Sequence, residues 1–365
     1  MTMLESIVLV ENETKSKTLP GFSLAWKDLE YYVYDKRTKS EKKILSQMNG
    51  FLKPGSVCAV LGSSGAGKST FLDVISGRKK ASSNVRGQVL VNGHANVSMK
   101  HVSRYCTQDD ALFGNLTVRE TLLYAARFNL NEKMSESERI QVVDDMIEEF
   151  GLKGVENTII GTPLMKGCSG GQVRRVSVAS QIIGLKGGIF FLDEPTSGLD
   201  SVAAFSVIES VKQLAIQYNS TILATIHQPS SETFNLFTHV LIMSQGSTVY
   251  FGPREEAIAH FSSIGRPLPT HANPSDVYLQ MTNVDFLEDK EQGRKEVEGL
   301  VNAYKTSSYA SQVKDEIELE LKNSANAVVP QYSYVNGFMH QTSVLMSRAL
   351  LNAGKNPLSY WIRGI

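Results

Sequence analysis

The sequence predicts an α/β fold, a mostly parallel sheet with helices on both faces. Two observations carry that prediction. Short apolar segments of strand length alternate along the chain with segments of helical period. One apolar segment, residues 56–61, runs straight into a glycine-rich loop and then into a helix-like stretch. The chain has 365 residues, of which 42% are apolar and 20% charged, so a sizeable core and about two domains are expected and global disorder is excluded.

Each element follows from local pattern. Residues 1–20 are polar and are expected to be loosely ordered. Residues 23–34 (SLAWKDLEYYVY) are aromatic and partly alternating, which reads as a strand, with the charged 35–43 as a hairpin tip. Residues 56–61 (SVCAVL) are a buried strand by length and flanks. Residues 88–91 (QVLV) enter a turn at Asn92-Gly93. From about 117 to 151 the pattern is helical: Thr117 and Glu120 have capping-box spacing, and SERIQVVDDMIEEFGL ends at Gly151. Strands follow at 187–192 (GGIFFL) and 221–226 (TILATI), with a helix at 201–217 between them and a strand–turn–strand at 241–252. Residues 285–325 are charge-rich and helical in pattern, and 331–365 contain Arg348, Lys355 and Arg363 and no acid.

Composition narrows the function. Lys+Arg and Asp+Glu both total 37, so the chain lacks the cationic excess that a nucleic-acid partner demands. Three widely spaced cysteines fit neither a disulfide scaffold nor a zinc site, and read as thiols of a reducing compartment. No run of about 18 apolar residues is present, so no complete membrane span is expected, and the N-terminus does not read as a secretion signal.

Residues 62–69, Gly-Ser-Ser-Gly-Ala-Gly-Lys-Ser, fit the P-loop pattern G-x-x-x-x-G-K-[ST]. Glycines let successive backbone N–H groups turn inward around phosphate oxygens, and the following helix aims its positive end at the same anion. Lys68 is placed to reach the β- and γ-phosphates and Ser69 to ligate Mg²⁺. Gly62, Ser63, Ser64, Gly65, Ala66, Gly67 and Thr70 complete the loop. Downstream, IFFLDE (189–194) is a buried strand delivering two carboxylates to the edge of the sheet. Asp193 suits Mg²⁺ or its water, and Glu194 suits general-base or water-orienting work.

Between and after these lie Ser169-Gly170-Gly171-Gln172 behind Cys168, then Ser197-Gly198-Leu199-Asp200, then Thr225-Ile226-His227-Gln228-Pro229, with Gln108 in YCTQDD. In these ordered motifs the chain resembles, from about 24 to 285, the nucleotide-binding domain of ATP-binding-cassette (ABC) transporters. DEPTSGLD, TIHQP, VYFGP (249–253) and NPSDVYL (273–279) resemble the eukaryotic G subfamily, the White/Brown and pleiotropic-drug-resistance group. The resemblance implies a P-loop NTPase ABC cassette with a RecA-like core, an antiparallel β subdomain and a helical signature subdomain. It implies ATP and Mg²⁺ as ligands, with Gln108 contacting Mg²⁺ and the attacking water and His227 holding the γ-phosphate. Ser169, Gly170, Gly171 and Gln172 would serve the partner cassette's nucleotide, and Asp200 would lie at the dimer seam. In many such cassettes an aromatic residue of the first strand stacks on adenine. By register that position falls on Val33, sharing a face with Tyr31 and opposite Tyr34. Cys168 stands where Leu, Ile or Val is commoner in the family, and a thiol packs as a small hydrophobe.

The expected organisation is a flexible N-terminus at 1–20, the cassette at 21–285, a charged helical linker at 286–330 and, at 331–365, an amphipathic connecting helix with the start of a first transmembrane helix. In 335–351 one helical face gathers Val335, Phe338, Met339, Leu345, Met346, Ala349 and Leu350. Such a basic, acid-free face suits either a membrane surface or packing on the cassette. The resemblance favours the former, with the chain at a membrane on its cytoplasmic side and ending where relatives enter the bilayer, as a fragment or truncated form would. Its expected partners are a second cassette, in a homodimer or heterodimer, and its own or a partner's transmembrane domain. The competing readings are a soluble ABC ATPase acting on DNA or ribosomes, and a regulatory chain pairing with a full-length relative.

Overall fold

The structure is a computed structural model that describes residues 21–35, 39–79, 84–95, 97–109, 111–162, 165–283, 290–324 and 336–355. In chain order the strands are β1 (Leu24–Asp35), β2 (Ser40–Leu52), β3 (Val57–Leu61), β4 (Val85–Val91), β5 (His94–Ala95), β6 (Ser103–Cys106), β7 (Ile189–Leu192), β8 (Thr221–Thr225), β9 (His239–Ser244) and β10 (Ser247–Pro253). The helices are α1 (Lys68–Ile75), α2 (Met99–Val102), α3 (Val118–Asn129), α4 (Glu136–Glu149), α5 (Gly170–Ile182), α6 (Ser201–Tyr218), α7 (Ser231–Phe234), α8 (Ala257–Ser263), α9 (Pro274–Thr282), α10 (Lys290–Lys305), α11 (Ser308–Asn323) and α12 (Phe338–Lys355).

Two sheets form. The larger has the order β10-β9-β3-β8-β7-β6. All its neighbours are parallel except the β9–β10 hairpin. β3, β7 and β8 are buried along their whole length, as central parallel strands must be, and their unbroken apolar runs follow from that. The smaller sheet is antiparallel, in the order β2-β1-β4-β5. Asn92-Gly93 and Gln245-Gly246, which join the two tight hairpins, both have positive φ at both positions, the pairing that matches strand twist. The hairpin between β1 and β2 is shorter than its charge suggested: Asp35 and Ser40–Lys43 are strand residues, and 36–38 lie outside the described residues.

Trp26 of β1 ties the sheets together. Its ring meets Phe71 of α1 and Phe251 of β10 edge-on, with centroids 5.3 and 5.2 Å apart. A Cβ on Gly50 would lie 2.0 Å from that indole, so glycine is required opposite it. The helical part is α3, α4 and α5, and each starts with a capping box: Thr117 with Glu120, Ser135 with Glu138, and Ser169 with Gln172. The charge-rich segment folds as α10 and α11, whose apolar residues Val297, Leu300, Val301, Val313 and Ile317 join the main core.

α12 lies against α3. Val344 is buried with Leu116 and Tyr124, Tyr124 Oη meets Ser347 Oγ at 3.2 Å, and Arg348 stacks over Phe113 and Phe128. Phe338, Met339, Leu345, Met346 and Leu350 are exposed. The docked face is therefore centred on Val344 and Arg348, and the larger apolar face points away. Val335 and the segment read as the start of a span, 356–365, fall outside the described residues.

Candidate active site

The site follows from strand order. β3, β8, β7 and β6 are neighbours and parallel, so their carboxyl ends lie side by side, with Val60 opposite Thr225 and Leu192 opposite both Ala224 and Cys106. That edge is where ligands sit in such sheets. The residues just beyond the four strands are Gly62 to Gly67, Ile226-His227, Asp193-Glu194 and Thr107-Gln108.

Gly65 and Gly67 have φ of 76° and 99°, which a side chain would resist. At Gly62 the limit is space, because a Cβ there would sit 2.5 Å from the Met243 carbonyl. The loop then enters α1 at Lys68. The Lys68 ammonium is buried and donates to the carbonyls of Gly62 at 2.7 Å and Ser63 at 3.1 Å. Burial pulls its pKa below the ordinary lysine value, while the nearby Glu194 and Asp193 carboxylates pull it back up.

Asp193 is held by three hydroxyls. Ser69 donates to Oδ1 at 3.1 Å, Thr225 to Oδ1 at 2.8 Å and Tyr105 to Oδ2 at 3.1 Å. Burial first, and the Asp193 charge second, push the Tyr105 phenol upward, so it donates as a neutral hydroxyl. Glu194 adopts φ 48°, and Thr225 Oγ1 accepts its backbone N–H at 2.8 Å. Its carboxylate bridges two partners: Gln108 Nε2 donates to Oε2 at 2.8 Å, and His227 Nε2 lies 2.8 Å from Oε1. Lys68, Ser69, Asp193, Glu194, Gln108 and His227 thus form one cluster.

Ser169, Gly170, Gly171, Gln172 and Asp200 make a second cluster. Ser169 and Gln172 cap α5, and Asp200 Oδ1 accepts the Ala203 N–H at 2.8 Å to cap α6. A Cβ on Gly171 would come 2.9 Å from that of Ala203, so the two helix starts lie against each other. Val33 and Tyr34 are both exposed on β1, and Tyr31 is partly buried against the core.

A glycine cradle with a buried ammonium and two adjacent carboxylates can hold a polyphosphate and place water beside it. Two family profiles match the chain. One, described as ABC transporter, covers residues 45–197; the other, described as ABC-2 type transporter, covers 227–334. The chain is 37% identical over 350 residues to ABC transporter G family member 1 of Petunia hybrida. It is 37% identical over 362 residues to ABC transporter G family member 11 of Arabidopsis thaliana, and 34% over 373 to the broad substrate specificity ATP-binding cassette transporter ABCG2 of Sus scrofa. The chain belongs to the ABC transporter G family. The three alignments take in 94%, 93% and 95% of this chain, and 54%, 51% and 56% of those relatives. The chain therefore spans about half the length of the curated relatives it matches. Among the described residues no helix is long and apolar enough to cross a membrane, including those within 227–334.

In this ABC cassette, four residues have structural roles that sequence reasoning missed. Arg174, buried in the second turn of the signature helix α5, donates to the carbonyls of Thr107, Gln108, Asp193, Glu194 and Pro195 at 2.9–3.2 Å. Nothing in its local pattern separates it from Arg175 beside it. Tyr105 sits on β6, a four-residue strand too short and mixed to announce itself. Asn273 and Ser275, which mark the subfamily in sequence, anchor the loop after His227: Asn273 Nδ2 and Ser275 Oγ donate to the Pro229 carbonyl at 2.8 and 3.0 Å.

Proposed function

We propose that this chain is the ATP-hydrolysing module of a transmembrane exporter that works as a pair of cassettes. The observation that carries the reading is the Glu194 carboxylate held between Gln108 and His227 beside the P-loop. ATP would lie with its phosphates in the Gly62–Thr70 cradle. Lys68 offsets their charge, Glu194 orients and polarises the attacking water, and His227 steadies the γ-phosphate. Ser69 and Asp193 offer the hard oxygens that Mg²⁺ takes alongside phosphate and water, and the ion, when bound, neutralises charge on the phosphates. Gln108, bonded to Glu194, would contact the ion and the attacking water.

The second cluster supports head-to-tail pairing. The Ser169–Gln172 turn is a helix start built from small residues, suited to the terminal phosphate of a partner's nucleotide. Asp200, next to it, belongs to the same seam. The γ-phosphate then joins the two halves and its loss loosens them, a two-state element biased by ligand. The exposed, acid-free apolar face of α12 suits a membrane surface. A lipid, a sterol or another amphipathic molecule is the proposed cargo, in keeping with the broad substrate specificity in one relative's name.

Glu194→Gln tests the reading. ATP hydrolysis by the purified chain should fall about 100-fold or more while ATP binding is kept and a dimer accumulates in Mg·ATP. Hydrolysis at the wild-type rate would sink the assignment.

A further inference from the structure

A cavity of about 150 Å³ lies between the irregular middle of β2 and the corner where α10 meets α11. Its wall includes Ser46, Gln47, Thr248, Lys305 and Lys314. The β1–β2 register slips on either side of Gln47, whose φ is 47°, so the pleat opens there.

Two observations point to a ligand. Thr248 is 7% exposed, lines the cavity, and its hydroxyl has no hydrogen-bond partner among the described residues. Buried hydroxyls are nearly always satisfied, so this one is prepared for a group the protein does not supply. The second is charge. Among the described residues, the ion pairs of α10 and α11 include Arg266 with Glu296, Glu291 with Lys295, Lys27 with Glu318 and Lys53 with Glu316. Lys305 and Lys314 have none among the described residues. The lining also holds one carboxylate, Asp28, whose Oδ1 accepts from Asn49 Nδ2 at 3.1 Å, so the two ammonium groups outnumber it. Ala310, in the first turn of α11, also lines the cavity, and its N–H is held by the N-cap Ser307 Oγ at 3.3 Å.

We propose that this cavity is a second phosphoryl site, separate from the P-loop, that takes a small phosphomonoester. Lys305 and Lys314 hold the phosphate, and the Ser46 and Thr248 hydroxyls bond its oxygens. The volume admits a phosphate with a short hydroxylated stub and is below that of a drug-sized site, about 300–1,000 Å³. The site adjoins the nucleotide cradle. Ser46 N–H donates to the Gly246 carbonyl and Gly246 N–H to the Ala66 carbonyl, both at 2.9 Å. Occupancy is therefore two backbone hydrogen bonds from the P-loop and bears on nucleotide affinity.

The test titrates the full chain with glycerol 3-phosphate while saturating Mg·ADP fills the P-loop. Binding should persist, and should weaken at least tenfold in T248V and in the double variant K305M/K314M, with ADP affinity of the variants unchanged in its absence. T248V removes an unsatisfied hydroxyl without changing shape, so its thermal midpoint should not fall and lost binding is not lost fold. In wild type, glycerol 3-phosphate should shift ADP affinity at least twofold, and ADP should shift glycerol 3-phosphate affinity equally. Vesicles of phosphatidylcholine with and without phosphatidic acid tell a free ester from a lipid headgroup. Displacement of glycerol 3-phosphate by ADP, or undiminished binding in both variants, overturns the site. An unchanged ADP affinity overturns its link to the cradle.

Discussion

Replacing Arg174 with methionine keeps the length of the side chain and removes its donors. Five backbone carbonyls, those of Thr107, Gln108, Asp193, Glu194 and Pro195, then lose a charged partner. A hydrogen bond to a charged group is worth about 1.5–3 kcal/mol net, and a buried acceptor left bare costs about 1–3 kcal/mol. Carbonyls near the exposed Gln108 can rehydrate and those inside cannot, so a total of about 3–5 kcal/mol is expected. That is a large share of the ~5–15 kcal/mol by which domains are usually stable, yet it leaves a folded population. In that population the backbone that aims Gln108 and Glu194 is no longer pinned, and a shift of about 1 Å costs roughly 100-fold in rate. Urea unfolding should show the midpoint falling, and ATPase turnover per folded molecule should drop tenfold or more. R174K should recover part of the stability but little of the rate, because an ammonium cannot span five acceptors as a planar fork does. Folded R174M turning over at the wild-type rate would refute the positioning role.

Other outcomes follow from the same structure. The pKa of His239 is lowered to about 4, first by burial and then by Lys53, so the folded state keeps it neutral. Between pH 6.5 and about 4 the unfolded chain takes up a proton that the fold refuses, so stability should decline with acid across that window, by at most about 3–4 kcal/mol. H239Q should flatten part of a pH series of urea midpoints, and burial of His260 adds a slope of the same sign. A Cβ on Gly246 would sit 1.8 Å from the Ile44 carbonyl at a φ of 75°, so G246A should cost about 2–4 kcal/mol, read as a fallen thermal midpoint. The Lys355–Glu120 pair that pins the end of α12 is about 30% exposed on each side, so K355A should cost under ~1 kcal/mol, and a larger loss would mean that α12 depends on it.

The parts of the site that were legible were those whose chemistry is local. A P-loop needs its glycines, lysine and serine in consecutive order, so Gly62–Ser69 declared itself. Apolar strands buried on both faces read as such because nothing polar interrupts them, and Thr117 with Glu120 signalled a helix start three residues apart. The missed contributors act across long separations. Arg174 reaches residues 66 and 67 positions before it and 19 to 21 after it. Its value as a clamp exists only where β6 and β7 end side by side. Tyr105 matters because its hydroxyl falls 3.1 Å from a carboxylate 88 residues away.

By itself the sequence determined the alternation of strands and helices and the glycine-rich loop, which depend on periods, caps and backbone freedom within a few residues, and its ordered motifs carried the resemblance to the family. Only the tertiary structure decided the rest. The strand order β3-β8-β7-β6 gathers Lys68, His227, Glu194 and Gln108 at one edge. One face of α12 docks on α3 while its larger apolar face stays exposed. A bulge in β2 meets α10 and α11 around an unsatisfied hydroxyl. In each case the deciding term is desolvation: which groups leave water together depends on how distant segments pack, and no local pattern encodes that.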